Sequence, residues 1–482
     1  MLERLFRLRE NQTNIRTEII AGVTTFLTMA YIIVVQPAVL TGEMFVPALG
    51  EQARTGMDFG AVMAATCYSA AFATFLLGVL ANYPIAQAPG MGENFFFVFT
   101  VIPAAAGLAA VKAGQVAAWQ VALGAVFISG VLFLLVTVAG IQTQLLGAIS
   151  PTFRNGIAVG IGLFIAFIGL QNAGIIVRSP DTGVALTDRI GSPDVAIFFF
   201  GLVVTAGLYS LGIRGAIVLG ILAATLAALG LRQMLIHYPE FAEFPAIAES
   251  RLLQPAEKGG FVPATSVIST PPSLLPTLLK MDLLHAVSWS MIPLIIIFLF
   301  MDVFDTLGTL LGIAEQGGFI KNNHIPRAKQ VLLADSLGTI IGAAAGTSTV
   351  TSYIESAAGV QQGGRTGLTA VVVAMLFLLA PFFFPLVKMI GTYPPATAPA
   401  LVIVGALMIR NVSKFEWENF AEVLPAFVVM VGIPLTYSIA DGLALGFLTY
   451  PVIKLCSGQG RSVHWLMYLL AVVLAGYLVL IR

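Results

Sequence analysis

The sequence predicts an all-α polytopic membrane protein: 14 transmembrane segments as a 7+7 inverted repeat, with spans 3 and 10 broken by short extended strands. Three observations predict it. The composition is 58% hydrophobic and 10% charged, against about 25% charged in soluble proteins, and mean hydropathy is +0.94. Apolar runs of spanning length recur through all 482 residues, which excludes a soluble domain on one anchor. Lysines and arginines cluster at intervals that place an odd number of spans in each half.

Taken in order, residues 1–16 open the stretch "MLERLFRLRENQTNIRTEII", which is basic and is followed by an apolar segment without a small-residue cleavage site. It reads as a retained cytoplasmic N-terminus rather than a signal peptide. Spans follow near 17–38, 60–81, 84–108, 115–139, 155–177, 195–211 and 214–232, so that 17–232 forms the first repeat. A polar, Pro-rich stretch at 233–283 is expected to be an extracellular or periplasmic linker. Spans resume near 284–310, 330–345, 346–362, 367–391, 396–410, 419–435 and 438–455, which makes 284–455 the second repeat. The C-terminal segment 456–482 holds a last apolar run, 463–481, that either spans or lies against the bundle.

Orientation follows from three basic clusters. Arg4, Arg7, Arg9 and Arg16 precede the first span, Lys321, Arg327 and Lys329 follow the eighth, and Lys454 and Arg461 follow the fourteenth. With all three in the cytoplasm, the second half is inverted relative to the first, a common transporter architecture. The expected location is the cell (inner) membrane, with lipid as the surrounding partner. A formal net charge of zero argues against nucleic acid. Cys67 and Cys456 show no metal-ligand spacing, so neither a metal nor a disulfide framework is expected.

Two segments do not read as continuous helices, and they take the third position of each half. In "NYPIAQAPGMGENFFFVF" (82–99), Pro84, Pro89, Gly90 and Gly92 forbid one. In "TSTVTSYIES" (347–356), alternating β-branched residues suit an extended piece. Interrupted segments in corresponding positions point to a midplane binding site, each supplying a strand and then a half-helix N-terminus. Non-helical backbone at that depth must line a cavity or be buried in protein, and the Ser and Thr side chains help to satisfy it.

The acids point the same way. Asp302 and Asp305 of "MDVFDTLGT" lie three residues apart and share a helix face, with Thr309 one turn on. An Asp at mid-span costs roughly 2.5–3.5 kcal/mol on insertion scales, so the pair should face a polar cavity; the alternative is a helix that ends at Phe300. Glu355 stands four residues beyond Thr351, just after the extended piece that holds Ser352, and Glu93 and Asn94 take the matching place in the first half. Phe95, Phe96 and Phe97 follow; consecutive helical residues point about 100° apart, so at most two of them can face a ligand. Asp335, in "LLADSLGTIIG" near Arg327 and Lys329, reads as an interfacial structural acid.

The stretches "EIIAGVTTFLTMAYIIVVQP" (18–37), "APGMGENFFF" (88–97), "FDTLGTLLGIAEQGG" (304–318), "ADSLGTIIGAAAGTSTVTSYIESAAGVQQGGRTGLTAVV" (334–372) and "PLTYSIADGLALGF" (434–447) resemble the AzgA-type purine permeases. That group lies within the nucleobase–ascorbate transporter (nucleobase cation symporter-2) superfamily. The resemblance implies core and gate domains, substrate held between the third and tenth spans, and uptake of guanine, hypoxanthine and adenine with protons as the coupling ion. It leans towards a homodimer and implies no other cofactor. Carried over by motif, Glu355 is the tenth-span acid that contacts the base, Asp302 and Asp305 are the eighth-span acids, and Asn94 is the third-span Asn. Thr351 and Phe95 join them as expected substrate contacts, and Glu355, Asp302 and Asp305 as the proton-coupling acids. Glu93, Thr309 and Ser352 are accessory candidates; Glu93 departs from the family pattern, where an apolar residue usually precedes the Asn.

The expected mechanism is alternating access, with carboxylates accepting purine N–H groups while Asn94 or backbone N–H groups donate to the ring. Carboxyls packed together can hold a proton near neutral pH, so coupling needs no metal. An anion exchanger of the same architecture is the first alternative, although Asp302, Asp305 and Glu355 would repel its substrate. An intramembrane aspartyl protease is remote, because it needs two Asp from different helices. A channel fits the broken inverted halves less well than alternating access does.

Overall fold

Helices begin where the sequence supplies a side chain to close the first turn. In the computed structural model, which describes residues 2–140, 149–179, 182–238, 240, 244–254, 260–320 and 325–480, Asn14 Oδ1 accepts the Thr17 N–H at 3.0 Å and Asp58 Oδ1 the Ala61 N–H at 2.7 Å. Such caps are worth about 1 kcal/mol each. The main elements are α1 (Ile15–Met29), α2 (Ile32–Leu40), α3 (Phe59–Leu80), β1 (Gln87–Pro89), α4 (Met91–Phe96), α5 (Ala118–Ala139), α6 (Pro151–Asn172), β2 (Ile176–Ser179), β3 (Gly183–Leu186), α7 (Pro193–Ser210) and α8 (Ala216–His237). After the linker come α9 (Ile292–Gly317), α10 (Ala328–Ala345), β4 (Val350–Ser352), α11 (Ser356–Gln361), α12 (Gly367–Leu379), α13 (Pro394–Ile409), α14 (Phe420–Thr436), α15 (Ile439–Cys456) and α16 (Trp465–Leu480). Among the described residues, ten helical stretches are long and apolar enough to cross a membrane.

The chain divides into two compact units. The first comprises Met1–Ala88, Ala166–Thr277 and Glu355–Val404; the second comprises Pro89–Ile165, Leu278–Ile354 and Gly405–Arg482. Two of the boundaries, after Ala88 and after Ile354, fall inside the two broken segments.

In the first unit, α12 packs on α1 and α3. Gly78 and Gly367 meet so closely that a Cβ on either would strike the other's backbone, the small-residue contact by which membrane helices approach. Glu18, fully buried in the first turn of α1, accepts N–H groups from Arg365 at 2.9 Å, Thr366 at 3.3 Å and Thr369 at 3.2 Å, and so closes the N-terminus of α12. In the second unit, α5 lies against α9 and α10, and α14 pairs with α15. Gly156 and Gly160 of α6 seat on Ala426 and Val429 of α14. Glu422 there accepts from the Ser150 and Tyr450 hydroxyls and pairs with buried Lys454 at 2.6 Å.

Several expectations change. The first span is two helices, α1 and α2, that meet at Ala30 and Tyr31. The eighth does not run from 284 to 310: a short turn, Leu283–Ala286, precedes α9, which continues to Gly317 because "TLGTLLGIA" stays apolar. The fifth ends at Asn172 and gives way to an unforeseen antiparallel hairpin, with Val177 opposite Ala185. The last run forms α16 against α15; at 1.5 Å per residue it is about 24 Å long, short of a hydrocarbon core of about 30 Å. Residue 481 and the orientation residue Lys321 lie outside the described residues.

Candidate functional site: a carboxyl and hydroxyl cluster

The core of the second unit holds most of the residues singled out in the sequence. Asp302 and Asp305 sit mid-way along α9, so the helix does not end at Phe300. Three residues leave their side chains about 60° apart around the helix, but the neighbours that cover them differ. Asp302 is fully buried, whereas Asp305 is exposed. Thr306 and Thr309, on the same stretch, are buried.

β4 runs beside α9 and α10 and supplies the partners. Thr339 of α10 has one hydroxyl group in contact with Asp302 Oδ2 at 2.8 Å, with the Val350 carbonyl at 3.1 Å and with the Val350 N–H at 3.1 Å. Thr306 does the same one turn along α9: its Oγ1 contacts Asp335 Oδ2, lies 2.8 Å from Thr351 Oγ1, and accepts the Ser352 N–H at 3.4 Å. Thr351 Oγ1 in turn donates to Asp305 Oδ2 at 3.4 Å. The extended backbone is therefore satisfied by threonines of neighbouring helices, as depth in a membrane demands.

The first broken segment closes on the second. The Gly90 N–H donates to the Thr349 carbonyl at 3.1 Å, and the Tyr353 hydroxyl donates to the Pro89 carbonyl. Gly90 leaves room for Glu93, whose carboxylate a Cβ at that position would strike. Glu93 is buried, and Asn94 beside it is fully buried, accepting from the Ser348 hydroxyl. Glu93, Asp302, Asp305 and Asp335 lie within electrostatic reach of one another. Asp302 Oδ1 and Thr349 Oγ1 are buried without a hydrogen-bond partner among the described residues.

Phe95, Phe96 and Phe97 are all fully buried. Phe95 stacks on Phe99 at 6.2 Å, and Phe99 meets Phe164 and Tyr437 edge-to-face at 5.8 and 5.2 Å. Half-buried Phe99 and Tyr437 form the more open edge of this aromatic group. The helix widens to π geometry over Phe97–Val101, a feature frequent at functional sites. Glu355 belongs to the first unit, at the N-cap of α11, where it accepts from the Tyr31 hydroxyl at 2.9 Å.

The sequence reading placed Asp335 at an interface; it is fully buried instead, with Thr306 as its partner. Thr306, Thr339, Ser348, Phe99, Tyr31 and Tyr437 were not singled out. Two stretches repeat, "DTLGT" (305–309) and "DSLGT" (335–339), which sets Thr339 against Thr309 and Thr306 against Ser336, and that repetition was the available signal for Thr339.

The permease family matches residues 16–481. The chain belongs to that family. It is 40% identical to the guanine/hypoxanthine permease PbuG of Bacillus subtilis, over 100% of both chains. It is 38% identical to the adenine permease AdeP of Escherichia coli, over 96% of this chain and 92% of that one. Among solved structures, the transmembrane domain of the cyanobacterial bicarbonate transporter BicA superposes with a TM-score of 0.58 at 15% identity, covering 90% of this chain and 97% of that domain. That likeness shows the fold, the seven-plus-seven architecture expected from the sequence. The permease is thus an integral multi-pass membrane transporter, not an enzyme.

Proposed function

We propose that this permease imports purine nucleobases, guanine, hypoxanthine and adenine, by proton symport through alternating access. The observation that carries the substrate class is similarity along the whole chain to both guanine/hypoxanthine and adenine permeases. The geometry supports it. A purine presents ring N–H donors and a flat face; the second unit offers an open acceptor in Asp302 Oδ1, the exposed carboxyl of Asp305 and an aromatic group at Phe99 and Tyr437. A buried acceptor left without a donor costs about 1–3 kcal/mol, and a ligand N–H meets that need. Guanine and hypoxanthine carry N1–H; adenine lacks it and would use its exocyclic amine or a protonated acid.

Carboxyls clustered at one site titrate together and share protons, which is what coupling requires; Asp302 and Asp305 take this role, with Glu93, Thr309 and Ser352 as accessory groups. Glu355 is proposed as a further proton-carrying acid from its place in the "TSYIES" motif. The proposed arrangement has the N-terminus in the cytoplasm of the inner membrane, repeats at 17–232 and 284–455 joined by an external linker, core and gate domains, and a homodimer. Anion exchange is disfavoured, because the acid cluster would repel the substrate.

The test is uptake of labelled guanine, hypoxanthine, adenine, uracil and sulfate into proteoliposomes, with and without an inward proton gradient. Gradient-driven purine uptake that is lost in Glu355→Gln is the expected result. Sulfate uptake, or purine uptake indifferent to both gradient and mutation, would overturn the proposal.

A further inference from the structure

A cleft of about 640 Å³ opens in the first unit, lined among the described residues by Arg54, Arg251 and Lys388 and by one acid, Glu43. Arg54 is bound by Glu43 and, at 2.6 Å, by Glu51, so this cation is fully answered. Burial pushes the Glu43 carboxyl up, Arg54 and, more weakly, Lys388 pull it back down, and its contact is made to Arg54.

The other two cations have acids within electrostatic reach, Glu43 for Lys388 and Asp194 for Arg251, but no ion pair. Arg251 is half-buried, and burial pushes its guanidinium down without removing a charge that Arg keeps at all ordinary pH. Asp194, the acid in electrostatic reach of it, has both oxygens engaged: Oδ1 accepts the Tyr393 hydroxyl at 2.7 Å and Oδ2 accepts the Arg251 backbone N–H at 3.0 Å. Lys388 lies 6.0 Å from the centre of the Phe384 ring. Among the described residues, neither Arg251 nor Lys388 forms an ion pair. Val46, Val262, Phe384 and Met389 give the same cleft an apolar wall.

We propose that this cleft binds a phosphate ester, with the phosphate on Arg251 and Lys388 and its apolar body on Phe384 and Met389. Two cations outside any ion pair match a phosphate monoester, which carries roughly −1.5 to −2 at neutral pH, and the planar Arg fork matches phosphate oxygens. The volume falls in the usual range of about 300–1,000 Å³ for small-molecule sites. The same chemistry is presented by a soluble ester or by the headgroup of an anionic lipid.

The test uses the full-length protein in nanodiscs and reads the thermal unfolding midpoint. The probes are inorganic phosphate, uridine monophosphate, and nanodiscs of phosphatidylcholine with or without phosphatidic acid. A pyrimidine ester is chosen so that the result is independent of purine transport. A saturable rise with uridine monophosphate assigns a soluble ester, and a rise only with phosphatidic acid assigns a lipid. In either case Arg251→Gln and Lys388→Gln should weaken apparent affinity roughly tenfold each, the worth of one charge-assisted hydrogen bond. Lys388 is exposed, so its variant keeps the test decisive if Arg251→Gln fails to fold. No rise with any probe, or rises of equal midpoint in wild type and Lys388→Gln, would overturn the proposal.

Discussion

The second unit contains two buried polar networks that obey opposite rules. Around Glu422, two hydroxyls and the buried Lys454 answer one carboxylate. Around Asp302, carboxyls of α9 and α10 are hydrogen-bonded by threonine hydroxyls: Asp302 by Thr339, Asp305 by Thr351 and Asp335 by Thr306. The first network is complete and ties the start of α6 to α14 and α15. The second keeps an acceptor open and one acid, Asp305, exposed. A paired buried charge is what a rigid scaffold can tolerate. A cluster of acids at membrane depth is costly, which supports the ligand and proton site proposed for it.

That contrast can be broken in four places. The largest effect is expected for Asp302→Asn, which keeps the volume and removes the acceptor. Gradient-driven purine uptake should fall by at least about a hundredfold, while the unfolding midpoint stays near that of wild type; normal uptake would erase the distinction between the two networks. Lys454→Met leaves Glu422 buried without its cation and should destabilise by about 3–5 kcal/mol. Transport per folded molecule should persist, and adding Glu422→Gln should recover most of the stability. If transport fell instead, the Glu422 network would belong to the working site.

Thr339→Val removes the hydroxyl shared by Asp302 and both backbone groups of Val350, and should cost about 1–3 kcal/mol. Thr339→Ser should behave as wild type in both unfolding and uptake, which separates the hydroxyl from side-chain shape. The smallest effect is expected outside both networks. Arg54→Gln removes partly exposed pairs to Glu43 and Glu51, and unfolding should shift by no more than about 1 kcal/mol; a larger loss would mean that exposed pairs here act like the buried one.

The legible part of the site was the part written in local pattern. Prolines, glycines and β-branched runs marked both broken segments, because they forbid or disfavour helix wherever they occur. The spacing of Asp302 and Asp305 put both on α9. It could not order them by depth, because that depends on which neighbours cover each oxygen. Asp335 was misplaced for the same reason: nearby Arg327 and Lys329 suggested an interface, but Thr306 and β4 enclose it. Tyr31 carries no such signal: a single Tyr between two apolar helices belongs to no period or repeat.

By itself the sequence determined that the chain lives in lipid and where the backbone must leave the helix. These follow from transfer energy and backbone sterics, which act residue by residue. Only the tertiary structure decided which carboxyl is enclosed, which hydroxyl answers it, and which network ends on a cation. Those are properties of partners far apart in the chain, such as Thr339 with Val350 or Ser348 with Asn94, and packing brings them together.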